Sequence, residues 1–448
     1  MNQDGRPPSS EQGLHLVSVS QQRRISYFEN TNTIHRMQAG KDASKRTVAV
    51  DTLKPYDELE VSFTSSNNGE SVWNAPYASD WALVTEQLVQ PYPKSKTITG
   101  LALDWSTHRR SAIGSDNFQL TWADDDHLYG AWGDGGGFGG SNSNGRVGLG
   151  VARITGGPDN YEGKNIWGGY QPETAATFDG KSWGMISVNS KLHMWVVPDK
   201  PAGKTYRNHY EYIELASSND HGKSWKKAPW RFETNDQLTI PTFLNFGKNN
   251  EGVSEAFGDY AYTYFIAPQR PDIEQMGPKG IQLIVHQPGR LYLARIHSDD
   301  LDKGKNNFEF YSGINLDNSP RWGDIRGKRP VFEDVNGAGW CVSAAYHPGF
   351  QRILLSTQHS QNAQGRIGIF EAPTPWGPWK TAEYFDAKEP FGLSRPGSSL
   401  PWENNVFFVS FVTKWFDGDK FTLAFTGAGR GKNNDSFNTI EETFLRHK

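Results

Sequence analysis

The chain carries a single cysteine, Cys341, among 448 residues. No intramolecular disulfide can form, and cysteine usage does not decide the redox compartment. It lacks any apolar run approaching the roughly 20 residues that cross a bilayer as a helix. Its 46 basic and 50 acidic side chains leave a net charge of −4. That near balance gives no global field for nucleic acid or an anionic membrane, so neither is an expected partner. An acidic ligand would have to be held by a local basic patch. Helical periodicity is almost absent, and nothing in the sequence calls for an oligomer, so a monomer is expected.

Rings and turns are abundant instead. Aromatic residues make up 13% of the chain, which suits either the stacking of sugar rings or large sheet cores filled with rings. The 47 glycines and 25 prolines fit many tight turns, hence many short strands. The most informative stretch is 104–140. Residues 115–123 read as a strand, Asp124-Asp125-Asp126 as a turn and 128–133 as the returning strand. Folding that hairpin sets Asp116 opposite Asp134, since cross-strand neighbours lie about 5 Å apart.

The hairpin has relatives. Residues 180–198 fold about Asn189-Ser190, 259–268 pair with 289–297, 339–359 turn at His347-Pro348-Gly349, and 404–427 turn at Asp417-Gly418-Asp419. First strands start near 116, 182, 260, 341 and 405, and third strands follow at 146–154, 209–217 and 365–373. Repeated antiparallel sheets of three or four strands predict an all-β fold, a single β-propeller. Strand-like runs in 14–103 add one or two blades, which gives five to seven, with seven favoured. The domain is expected to span 14–448, after a disordered polar tail at 1–13. Residues 218–225, SNDHGKSW, fit the Asp-box turn found between outer strands of propeller blades, a structural motif.

Ligands of a propeller bind at the channel mouth, where first strands begin and second strands return. That places Asp116, Asp134 and Lys181 on the rim. Two neighbouring carboxylates suit glycoside hydrolysis, and they equally suit the anchoring of loop amides. His108, Arg109 and Arg110, read as a loop before the first strand, form a basic cluster. Arginine can neutralise a uronate carboxylate, and a neutral histidine or ionised tyrosine can remove the C5 proton in β-elimination. Tyr170, Tyr264, Arg207, Asn245 and Lys248 are further candidate substrate contacts. The chemistry requires no cofactor. A structural zinc or calcium ion remains open, with Cys341, His359 and His286 as a ligand set unsupported by any compact spacing.

The run GSDNFQLTWADDDHLYGAWGDGGGFGG, with GRVGLGVARI, GKSWGMISV, PTFLNFGKN, LYLARI and FEAPTPWGPW, resembles a bacterial propeller family over roughly residues 100–430. Distant members are endo-D-arabinanases, and their paired catalytic aspartates resemble Asp116 and Asp134. Similar propellers are ulvan lyases, whose histidine and arginine equipment His108 and the adjacent arginines resemble, and the resemblance implies a catalytic tyrosine, for which Tyr170 and Tyr264 are the candidates. The resemblance implies a secreted or periplasmic enzyme, with Met1 standing where a signal peptide would have been removed. The leading expectation is a lyase acting on an acidic, sulfated, uronate-containing polysaccharide such as ulvan. The alternatives are a glycoside hydrolase using Asp116 and Asp134, and a glycan-binding propeller without catalysis.

Overall fold

The computed structural model describes residues 90–448 apart from 200–210, 269–284, 360–363, 403–405, 428, 430–434 and 447–448, together with the backbone of seven earlier strands. The chain divides into two compact units, Met1–Pro91 and Tyr92–Lys448. In the first, β1 (Leu14–Ser18) lies between β4 (Arg46–Val50) and β7 (Trp81–Thr85). A second sheet there joins β2 (Arg23–Phe28), β3 (Ile34–Gln38), β5 (Ser62–Asn67) and β6 (Glu70–Val72) in the order β3-β2-β5-β6. Among the described residues these strands pair only with one another. The expected tail at 1–13 lies outside the described residues.

The second unit is the propeller, and its described residues form five blades. Blade I runs from β9 (Asp116–Trp122) through β10 (Leu128–Gly133) and β11 (Gly150–Thr155) to β12 (Glu162–Trp167). Blade II comprises β13 (Lys181–Val188), β14 (Lys191–Val197), β15 (Tyr212–Ser218) and β16 (Lys226–Glu233). Blade III starts with β17 (Thr239–Asn245), β18 (Tyr260–Ile266) and β19 (Gly289–His297). Its outer part is β20 (Glu309–Ile314), β21 (Pro320–Gly323) and β22 (Pro330–Asp334). Blade IV holds β23 (Ser343–His347), β24 (Arg352–Gln358), β25 (Ile367–Ala372) and β26 (Lys380–Tyr384). Blade V is β27 (Phe407–Phe411), β28 (Lys420–Thr426) and β29 (Phe437–Leu445), completed on its outer edge by β8 (Gly100–Ser111).

The innermost strands touch in a closed circuit, β9 to β13 to β17 to β23 to β27 and back to β9. Five blades, not seven, therefore close the ring. The innermost strands are buried almost throughout, and β13 has no exposed residue. Both faces of such a strand are covered, so it reads as a continuous run rather than a clean alternation. The third inner strand is Thr239–Asn245, not the segment near 260, which is the second strand running back.

The aromatic surplus goes mainly into the seams between blades. Trp195, from blade II, stacks on Phe243 of blade III at 5.3 Å and meets Phe265 edge-on at 5.8 Å. The Asp-box turn serves the seam between blades I and II. Asp220 accepts hydrogen bonds from the Ser224 amide at 2.9 Å and its hydroxyl at 2.6 Å. Trp225 donates to the Gly222 carbonyl at 3.0 Å and joins the core cluster shared by the two blades.

One buried acid sits in the closing blade. Both carboxyl oxygens of Glu442 are buried without a hydrogen-bond partner. Burial, with Glu383 adding to it, holds its carboxyl well above the ordinary glutamate value. The folded chain thus keeps a proton that the unfolded chain releases. The stability contribution is full below the ordinary glutamate value and falls as pH rises above it, by up to about 1.4 kcal/mol per pH unit. Glu442→Gln is expected to flatten that slope and to raise stability at neutral and alkaline pH. Urea unfolding at a series of pH values measures it, and a slope unchanged by the substitution would contradict it.

Candidate active site

The hairpin of blade I folds as the sequence predicts, with one local departure. Asp116 pairs with Gly133, and the register slips between Ala131 and Gly133. Similar slips mark the mouth ends of three other inner strands: between Ser182 and Gly184, between Thr239 and Pro241, and between Phe407 and Ser410. A bulge of this kind bends the strand and re-aims its side chains. Asn117 (φ 57°), Ile240 (φ 44°) and Phe408 (φ 55°) are left-handed at these entries, and Asp134 (φ 60°) is left-handed where the hairpin exits. Such conformations are costly for non-glycine residues and concentrate at functional sites.

Asp134 accepts a very short hydrogen bond from the Lys181 ammonium, and the Arg146 guanidinium lies 3.7 Å from the same Oδ1. The Lys181 side chain is only 3% exposed, so this ion pair is shielded from solvent. Asp116 is buried, and its Oδ1 has no hydrogen-bond partner. Gly133 is the hinge of the arrangement. A Cβ there would stand 2.9 Å from Lys181 Nζ and 3.3 Å from Asp116 Oδ1, so the absence of a side chain lets the two groups converge. Gly135 is required for a related reason, since a Cβ would meet Ser115 Oγ at 2.3 Å.

The electrostatics follow from this packing. Burial holds Asp116 well above the ordinary carboxylate range; Lys181 and Arg146 oppose the shift, while Asp134 and Asp435 reinforce it. Asp435 is a third carboxyl, carried on the β28–β29 connection, with its backbone carbonyl accepting from Gly114 N at 2.7 Å. Burial and then Asp134 push Asp435 up to about 6, against Arg146 and Lys181. The mouth therefore presents a buried carboxyl whose ionisation is disfavoured beside a carboxylate that is paired with two cations. Aromatic residues from three further positions border it. Trp340 lies 6.1 Å from Trp183 and 5.0 Å from Phe407, centroid to centroid, and the next residue, Cys341, is close enough for its thiol to feel the Asp116 charge.

Asp116, Asp134 and Lys181 are thus brought together as the sequence predicts. Arg146 and Asp435 join them without having been singled out. Both come from irregular connections, where no periodic pattern marks a side chain's direction. The other candidates are placed elsewhere. His108, Arg109 and Arg110 are not in a loop before the first strand but in β8, the outermost strand of blade V. His108 is buried, 3.0 Å from both Ser398 Oγ and Asn438 Oδ1, and stacked on Phe425. Burial lowers its pKa to about 4. Arg110 Nε donates to the same Asn438 oxygen at 2.9 Å, and Arg109 lies over the Tyr161 ring at 4.7 Å. His108→Ala is expected to lower the melting temperature, through the lost hydrogen bonds and packing, while kcat changes less than about threefold. A collapse of kcat in a variant that stays folded would contradict this.

Tyr264 is fully buried and donates to the Pro375 carbonyl at 2.6 Å. Tyr170 is 37% exposed and packs against the glycine loop at Gly139 and Gly145. Asn245 lies at the far end of β17, where its oxygen accepts from Thr121 Oγ1 at 2.8 Å and its nitrogen donates to Met185 O at 3.2 Å. Lys248 is on the opposite rim, 3.5 Å from Asp126. Arg207 lies outside the described residues. Cys341, His359 and His286 do not converge. Among the described residues the ligand-bearing trio within 4.8 Å of one another is Asp124, Asp125 and His221, at the blade I turn. His359 instead stacks flat on Tyr384 at 4.3 Å, and burial keeps the Cys341 thiol well above its ordinary pKa.

No family model matches the chain, and no curated protein matches it. Solved structures with similarity include a GH43_1 enzyme from Xanthomonas citri, at 14% identity and a TM-score of 0.42, covering 75% of this chain and 89% of that one. A putative hydrolase from Bacteroides ovatus shows 12% identity and a TM-score of 0.41, covering 74% of this chain and 87% of that one. The GH93 alpha-L-arabinofuranosidase of Fusarium graminearum shows 11% identity and a TM-score of 0.38, covering 75% and 98%. These likenesses assign no activity, which is read from the site alone.

Proposed function

We propose that this propeller is a glycoside hydrolase acting at the channel mouth, with Asp116 as general acid and Asp134 as the ionised partner. The observation that carries the reading is the pairing of unlike carboxyls on one hairpin. Asp116 is buried with its pKa pushed well above the ordinary carboxylate range, while Asp134 is ion-paired with Lys181 and Arg146. Glycosidic cleavage needs that split: one carboxyl donates a proton to the departing oxygen, and the other acts as base or nucleophile at the anomeric carbon. Each carboxyl's charge raises the cost of ionising the other, which keeps the proton on the more buried one. Lys181 holds Asp134 in place and limits how far Asp116 is shifted.

The β-elimination reading has less support. It needs a histidine or tyrosine poised at the uronate; the positions of His108 and Tyr264 do not offer one, and the exposed Tyr170, packed on Gly145 next to Arg146, is the tyrosine that keeps this reading in the test. The substrate is a glycan, and acidic polysaccharides belong in the first screen because the partly exposed Arg146 guanidinium stands at the mouth.

Product analysis over a panel of neutral and uronate polysaccharides tests the proposal. The expected result is new reducing ends without the ultraviolet absorbance of an unsaturated uronate. Appearance of that absorbance would return the lyase to first place. Binding without cleavage across the panel would leave a glycan-binding propeller.

A further inference from the structure

A cleft of about 720 Å³ opens on the side of the propeller, between the edge strand β16 of blade II and the 303–307 turn of blade III. Strands in a sheet are spaced by about 4.8 Å, so this edge lies some 15 Å out from the innermost strand that carries Lys181. The cleft is within the size range of small-ligand sites. Trp230 forms one wall. It is only partly buried, and three aromatic neighbours fix its ring: Phe308 at 5.6 Å, Phe232 at 5.9 Å and Trp195 at 6.2 Å, all close to edge-on. A ring held in this way is a rigid platform.

The remaining wall is polar but internally neutralised. Arg231 pairs with Glu233 at 2.7 Å, Lys303 with Asp300 at 2.5 Å and Lys305 with Asp236 at 3.1 Å. Glu214 pairs with Lys227 at 2.6 Å. A charged ligand would have to break one of these pairs to gain a partner. A neutral polyol would not, because its hydroxyls can donate to the carboxylates and accept from the cations while each pair persists. The exposed carboxamide of Asn306 adds a donor and an acceptor at the same wall.

We propose that this cleft is a second glycan-binding site, which takes a short segment of a neutral polysaccharide with one sugar ring against Trp230. It is independent of the chemistry at the channel mouth. Its role would be to hold a polymer to the protein while the mouth acts on another segment, so that the effective concentration of chain ends or loops near the mouth rises.

Affinity electrophoresis of the whole chain tests this, with arabinan or xylan in the gel and polygalacturonate as the anionic comparator. Wild type is expected to be retarded by at least one neutral polymer. Trp230→Ala should weaken that retardation about tenfold or more, Asn306→Ala severalfold, and Asp116→Asn should leave it unchanged. Thermal melting monitors folding. Should Trp230→Ala melt early, the exposed Asn306→Ala decides the matter, since its side chain supports no core. The proposal is overturned if neither neutral polymer retards the protein, if only polygalacturonate does, or if the deciding variant binds like wild type. None of these outcomes bears on whether Asp116 is catalytic, which turnover of the same variants reports separately.

Discussion

Asp116→Asn is expected to lower kcat by about three orders of magnitude while the protein stays folded. The substitution is nearly isosteric, and because burial already disfavours the ionised carboxyl there, the neutral amide adds no buried charge. What it removes is the transferable proton. Its effect on stability has a definite sign. The folded-state pKa of Asp116 is raised, so the folded chain retains a proton that the unfolded chain gives up as pH rises above the ordinary aspartate value. The group's stability contribution therefore declines with increasing pH, and the asparagine variant should match or exceed wild type in urea midpoint at neutral pH. Turnover on the cleaved glycan and urea unfolding, taken on the same preparation, separate the two effects. Full activity in the asparagine variant would remove Asp116 from the mechanism.

The largest stability loss is expected from Lys181→Met. The methionine fills most of the lysine stem's volume but leaves Asp134 without its buried counter-charge. Breaking a shielded ion pair on one side costs about 3–5 kcal/mol where the remaining charge is stranded, and Arg146, 3.7 Å from the same oxygen, holds the loss toward the lower end of that range. Asp116 also loses the main group that opposes its upward shift, so its proton becomes harder to release in any later step. The double variant Lys181→Met with Asp134→Asn removes both charges and should regain most of the lost stability without regaining turnover. A single variant as stable as wild type would mean that the ammonium is hydrated rather than locked between the blades.

The sequence shows this site only in part, and the boundary has physical causes. The hairpin of blade I was legible because strict alternation and an aspartate-rich turn are local signals. Alternation sets Asp116 opposite Asp134, but it lies opposite Gly133, one residue away, because the bulge at Asn117-Phe118, which face the single Trp132, takes up a residue that alternation does not reveal. The inner strand of blade III was passed over in favour of the segment near 260. Proline in a strand normally argues for an edge, and Pro241 sits in this buried strand because the register slip next to it relieves the ladder there. His108 was misplaced for a different reason. The strand that holds it pairs with β29, more than 300 residues away, Arg109 opposite Thr439 and Arg110 opposite Asn438. No local pattern announces a partner at that distance. Five blades fall within the expected five to seven; seven is favoured from sequence because strand-like runs in the first 91 residues look no different from blade strands until their pairing is seen.

That same pairing between β8 and β29 links assembly to activity. Blade V is complete only when the strand at 437–445 pairs with the one at 100–111, so the two ends of the propeller share one sheet. Asp435 lies two residues before that final strand, and its carbonyl is gripped by Gly114 beside the first inner strand. The latch that completes the circle thus also delivers the third carboxyl to the mouth. Blades I to IV precede Asp435 in the chain, so the charge set at the mouth is complete only once blade V is in place.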